Sequence, residues 1–190
     1  MYVAKRLKNE NIAEYLLYMW QVEDLLRACH SDIDEVAEKY LARFSVLTPE
    51  QQQEQRQWYS DLCNMMHSEG IIDKGHLQIC KNVIANLQEI HAQLIASDKF
   101  PYYHAAYYDA LPAIVELREK SGEDYPDELT ACFNLLYGIM LLRMQNKTLT
   151  PDTERGLKSI SAFISMLAGL YHKNLKEPID WDSAAAEFQA

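Results

Sequence analysis

The stretch NIAEYLLYMWQVEDLL, residues 11–26, decides the fold class. Its apolar residues Ile12, Tyr15, Leu16, Met19, Val22 and Leu26 recur at three- and four-residue steps, which is the period of an α-helix. Leu17, Tyr18, Trp20 and Leu25 fall on the remaining sides. A helix that is apolar nearly all round needs neighbours on most of its faces. Asn11, followed by Glu14 three residues later, has the spacing of a capping box and predicts where the helix begins.

The same period and the same kind of start signal recur along the chain. Ser31 with Asp34 predicts the start of a shorter helix running to about residue 44. Thr48-Pro49-Glu50-Gln51 combines a capping hydroxyl with a proline at the first helical position, where the missing N–H costs nothing. That helix is expected to end near residue 68, with Gly70 as its stop, and its polar first half (51–57) to face solvent. Over 74–96 the residues Leu77, Cys80, Ile84, Leu87, His91 and Leu94 form one stripe. Pro101 opens a helix to about residue 120, with Pro112 inside it predicting a kink. Pro126 opens another to about residue 145, and Thr150-Pro151-Asp152 a last one to about residue 173. Six glycines and six prolines in 190 residues leave few turns, hence long elements.

The expected fold is therefore all-α, a single-domain bundle of about seven helices over residues 1–178, with a short tail at 179–190. Short connections make consecutive helices mostly antiparallel neighbours. The helices that start at residues 11, 126 and 150 are expected to be central. Gly138 is expected to face Ser161 and Ala162, where small residues would let two backbones approach closely.

Charge narrows the function. Eighteen Lys and Arg against 28 Asp and Glu give a net charge of −10. Binding to nucleic acid draws on clustered cations, and the most basic stretch, Lys5, Arg6 and Lys8, is short, so no nucleic acid is expected. An anionic membrane surface would repel the chain as well. The longest apolar run, 129–144, is broken by Asn134, Gly138 and Arg143 and falls short of the ~20 apolar residues a spanning helix needs. No signal peptide is read at the N-terminus, because Glu14 and Gln21 interrupt the apolar stretch and no small-residue cleavage site follows it. Cys29, Cys63, Cys80 and Cys132 all sit in apolar-periodic stretches and read as buried thiols in a reducing compartment, consistent with a cytoplasmic protein.

The chemistry-bearing motifs are missing. No Glu has a His three residues on, and neither His-x-x-x-His nor His-Glu-x-x-His occurs, so no metal site is expected. Phosphate-cradling glycine loops and the Gly-x-Ser-x-Gly elbow are absent too, and no cofactor is expected. The densest aromatic segment is Tyr102-Tyr103-His104-Ala105-Ala106-Tyr107-Tyr108. Tyr103 and Tyr107 share one helical face, and His104 and Tyr108 share another. These four residues read either as the wall of an aromatic ligand pocket or as core tyrosines with their hydroxyls at the edge. Trp20 and Glu23 are the further candidates. A carboxylate within so apolar a helix is either buried at a site or ion-paired to Arg27, four residues on.

Several segments carry a resemblance. The opening residues 1–26, Lys74-Gly75-His76-Leu77-Gln78, Ala105-Ala106-Tyr107-Tyr108, Ile114-Val115-Glu116-Leu117-Arg118 and Cys132-Phe133-Asn134-Leu135-Leu136-Tyr137-Gly138 look like an uncharacterised helical family of Bacteroidetes bacteria. The likeness extends to about residue 173. It implies a bacterial cytosolic protein of unknown function and no catalytic residues.

Two functions are compatible with these readings. One is a non-catalytic helical interaction or regulatory module that forms a homodimer or takes a protein partner, for which an apolar helix face supplies the means. The other is a small-molecule-binding protein or enzyme with a Tyr-rich pocket of unknown ligand. The absence of any catalytic constellation weighs towards a protein that is not an enzyme.

Overall fold

In the computed structural model, residues 1–43, 47–121 and 127–179 are described, and every regular element among them is helical. The order is α1 (Tyr2–Glu10), α2 (Ile12–Ala28), α3 (Ile33–Lys39), a 3-10 turn (Leu41–Arg43), α4 (Pro49–Ser68), α5 (Gln78–Ala96), α6 (Pro101–Ser121), α7 (Glu128–Met144) and α8 (Pro151–Lys176). Among the described residues there are eight α-helices, against the expected count of about seven. The additional one is α1, a short polar helix of nine residues whose buried residue is Ala4.

The chain divides into two compact units. The first holds residues 1–9 and 14–82, and the second 10–13 and 83–190.

In the first unit, α2 buries Tyr15, Leu16, Met19, Trp20, Val22 and Leu26, the stripe read from the sequence together with Trp20. The turn after α2 puts His30 and Ser31 in the left-handed region, with φ of 52° and 54°. Ser31 therefore does not cap the next helix. Its buried hydroxyl donates to the Met66 sulfur, and Asp32 caps α3 instead, accepting from the Asp34 and Glu35 N–H groups. α4 carries a full capping box. Gln51 N–H donates to Thr48 Oγ1 and the Gln51 side chain accepts from Thr48 N–H. Residues 52–54, 56 and 57 are exposed, as the polar first half of α4 predicts. The helix stops at Gly70, whose φ of +66° suits glycine.

In the second unit the close pairing is between α6 and α8. A Cβ placed on Gly156 of α8 would lie 3.2 Å from Cβ of Ala113 in α6. Gly138 of α7 plays no such part, because a Cβ there meets nothing within 4 Å, and Ala162 of α8 is exposed. The expected approach of α7 to α8 through Gly138 is thus corrected: the small-residue contact belongs to α6 and α8. α6 runs through Pro112 as one helix. Asp127 caps α7 through the Thr130 N–H, while Pro126 lies outside the described residues. Leu129, Ala131, Cys132, Phe133 and Ile139 of α7 are buried, whereas Leu135, Leu136, Leu141 and Leu142 are only partly so. α7 is less enclosed than its composition led us to expect. α8 starts with the predicted Thr150–Pro151 cap and buries Leu157, Ile160, Phe163, Ile164, Leu167 and Leu170 along one face. Among the described residues no helix is long and apolar enough to cross a membrane. The tail beyond residue 179 lies outside the described residues.

Candidate functional site

The six residues singled out from the sequence fall in two places. Trp20 and Glu23 belong to the first unit, and Tyr103, His104, Tyr107 and Tyr108 to the second.

Glu23 is fully buried on α2, and both of its carboxylate oxygens have partners among the residues that precede α5. Oε2 lies 2.6 Å from Nδ1 of His76, and Oε1 accepts the Leu77 N–H at 2.9 Å. The first helical donors of α5 are thereby met by tertiary carboxylates, since Glu69 accepts the next N–H, that of Gln78, at 2.7 Å. Helices favour anions at this end. This explains why α5 starts at Gln78 and not at residue 74. The predicted Glu23–Arg27 pair exists only at 3.9 Å. Arg27 is held instead by Asp24 at 2.9 Å and by the Gly75 carbonyl. The His76 ring stacks on buried Trp20, with centroids 4.1 Å apart and planes at 15°. Cys80 lies close to Glu23, and burial together with that carboxylate pushes its thiol far up from its ordinary pKa. Burial likewise pushes the Tyr15 phenol to about 12. A thiol so disfavoured as thiolate is a poor nucleophile. The cluster anchors α2 to the start of α5. His76 and Cys80 were not read as partners of Glu23, because the sequence puts them some fifty residues away on another element.

The aromatic segment at the start of α6 separates into different roles. Tyr103 is buried and its phenol is 2.6 Å from Nδ1 of His91. Burial lowers the basicity of His91 and raises the Tyr103 phenol, so the hydroxyl donates and the imidazole accepts. His104 donates to the Leu94 carbonyl at 2.9 Å and so serves the C-terminal end of α5. Tyr107 donates to Glu128 at 2.8 Å, with its phenol raised to about 12 by burial and by that carboxylate. Tyr108 is 60% exposed. The segment therefore does not form one continuous pocket wall.

A pocket does open beside part of it. It has a volume of about 560 Å³ and is lined by Lys99, Phe100, Pro101, Tyr102, Tyr103, Met166, Gly169, Leu170 and Lys173. Its wall is almost wholly apolar, of the size range that holds small molecules. Of the predicted residues only Tyr103 lines it. His104, Tyr107 and Tyr108 are not among its lining residues, and Tyr102, 63% exposed, is. Gly169 is the one signal in the sequence that could have pointed here. It lies well inside α8, where glycine costs about 1 kcal/mol relative to alanine, yet a Cβ at this position would meet nothing within 4 Å. Close packing against a neighbouring helix therefore does not account for it.

Among the described residues no group of three or more His, Cys, Asp or Glu side chains is arranged to hold a metal ion. No curated protein and no solved structure matches the chain. A family model does, over residues 1–178, and nearly the whole chain therefore belongs to the family described as domain of unknown function DUF4924.

Proposed function

We propose that this protein is a non-catalytic binding protein whose site is the pocket between the start of α6 and the last turns of α8. The observation that carries the reading is the coincidence of that apolar hollow with Gly169, a helix-interior glycine in its lining where a Cβ would meet nothing within 4 Å. Polar groups near the hollow are used for packing: Tyr103 is bonded to His91 and His104 to Leu94. What remains facing the pocket suits an apolar guest. The family resemblance and the buried thiols support a bacterial, cytoplasmic setting. Neither nucleic acid nor a membrane enters the reading, given the net charge of −10.

Titration of the labelled protein with n-decanol, followed by two-dimensional NMR, tests this. The expected shifts are confined to residues 99–103 and 166–173, and Gly169→Leu, which fills the hollow, abolishes them while the rest of the spectrum stays native. Shifts scattered over the molecule, or unchanged by Gly169→Leu, would count against the pocket.

A second reading has its own observation. Leu135, Leu136, Leu141 and Leu142 of α7 are partly exposed on a helix whose residues 131–142 carry no charge. Partly exposed leucines on an uncharged helix support a homodimer or a helical protein partner. Sedimentation equilibrium across a wide concentration range checks it, and a monomer at every concentration would remove the homodimer.

A further inference from the structure

We propose that His76 is a phosphoryl-acceptor site, whose Nε2 takes a phosphoryl group from an acyl phosphate or a phosphoramidate. The proposal is independent of the α6–α8 pocket. Its basis is the way the imidazole is held. Nδ1 lies 2.6 Å from Oε2 of the fully buried Glu23. A carboxylate only accepts, so Nδ1 carries the hydrogen and the lone pair of the neutral ring sits on Nε2. Among the described residues nothing bonds Nε2, and the side chain is 32% exposed. One face of the ring is stacked on buried Trp20, at 4.1 Å between centroids. The ring is thus fixed on its inner side and presents its nucleophilic atom outward.

The surroundings also suit the product. As Nε2 forms its bond to phosphorus, the bond from phosphorus to the acyl oxygen or to the amine nitrogen breaks. The carboxylate or ammonia leaves with that electron pair. The Nδ1 proton stays in its hydrogen bond to Glu23, and the ring becomes a cation. Glu23 neutralises that charge, and the indole face of Trp20 adds a cation–π attraction. Arg27 also approaches Oε2, at 3.9 Å, but is paired with Asp24 at 2.9 Å. Acyl transfer is favoured less, because a new oxyanion needs donors. The Leu77 and Gln78 N–H groups beside His76 are committed to Glu23 and Glu69. A phosphoryl group arrives with its oxygens already charged, and transfer asks chiefly for a positioned nucleophile.

The experiment treats the full chain with phosphoramidate, and separately with acetyl phosphate, at about pH 8, where free imidazole is neutral. Phosphorus NMR and peptide mass mapping read the uptake. With at least one donor, His76 is expected to react about tenfold faster than any of the other five histidines. The donor that reacts faster identifies the class that serves the site. His76→Gln should abolish the fast uptake. Glu23→Gln, confirmed as folded by circular dichroism, should lose most of the preference, because a neutral amide cannot offset the ring cation. In urea all six histidines should react alike, and this comparison on the unaltered chain decides the matter if Glu23→Gln does not fold. An anchor with no chemical role predicts none of this selectivity. Native His76 reacting no faster than the other histidines with either donor overturns the proposal, as does a preference that persists in urea or in folded Glu23→Gln.

Discussion

Glu23, with no exposed surface, holds His76 at 2.6 Å and so ties the middle of α2 to the residues that precede α5. The same carboxylate accepts the Leu77 N–H, so one side chain satisfies both an imidazole and an otherwise open helix end.

Removing this carboxylate leaves buried donors without an acceptor. Glu23→Ala is expected to lower stability by about 3 kcal/mol, and Glu23→Gln, which keeps one carbonyl oxygen, by roughly half as much. Urea unfolding midpoints measure both. A loss of under about 1 kcal/mol for the alanine variant would contradict the anchoring role.

Stability should fall on mild acidification. Burial lowers the basicity of His91, and burial with nearby Lys176 does the same for His172, whose Nε2 accepts the Ile12 N–H at 2.9 Å. Above the free histidine value of about 6.5 both imidazoles are neutral in either state and the stability is fully present. As pH drops through that value the unfolded chain takes up protons first, and stability declines until the folded pKa values are reached. Denaturation at a series of pH values between about 7 and 5 should show this slope. His172→Gln, which can still accept from Ile12 but does not titrate, should make it shallower. An unaltered slope would remove His172 from the account.

Two helix-interior glycines of the second unit, Gly138 and Gly156, should respond in opposite ways. Gly138→Ala has open space for its methyl and gains helix propensity, so a stabilisation of up to about 1 kcal/mol is expected. Gly156→Leu must push α8 from Ala113, already at 3.2 Å from a Cβ, and should cost about 2 kcal/mol. Thermal unfolding of the pair reads the difference directly.

Cys29, Cys63, Cys80 and Cys132 are all buried free thiols. Burial pushes Cys63 upward, Cys132 to about 12 and Cys80 further still. A thiol-reactive chromogen is therefore expected to label the native protein slowly and all four sites quickly in denaturant. Fast labelling of Cys80 in the native state would show that the Glu23 cluster opens readily.

Helices were legible in the sequence because apolar period and cap chemistry are local. The α2 stripe, the Thr48 and Thr150 starts and the Gly70 stop depend only on residues within a turn or two of each other. Legibility ended where a cap came from elsewhere in the chain. The start of α5 could not be placed from its own residues because Glu23 and Glu69 complete it. Ser31 does not act as the expected cap, because the left-handed turn that turns its hydroxyl towards Met66 leaves no periodic trace.

What the amino-acid order determined by itself is an acidic, all-helical chain with buried thiols, since composition, period and capping are additive local properties. Only the tertiary structure decided which tyrosine meets a hollow. Tyr102, Tyr103, Tyr107 and Tyr108 are the same residue type within two turns, and their fates diverge according to what is packed opposite each. His91 takes the hydroxyl of Tyr103, Glu128 takes that of Tyr107, and an empty space left by Gly169 lies beside Tyr102 and Tyr103. Contacts between residues sixty or more positions apart carry no periodic signature along the chain, so the pocket becomes visible only once α6 and α8 are side by side.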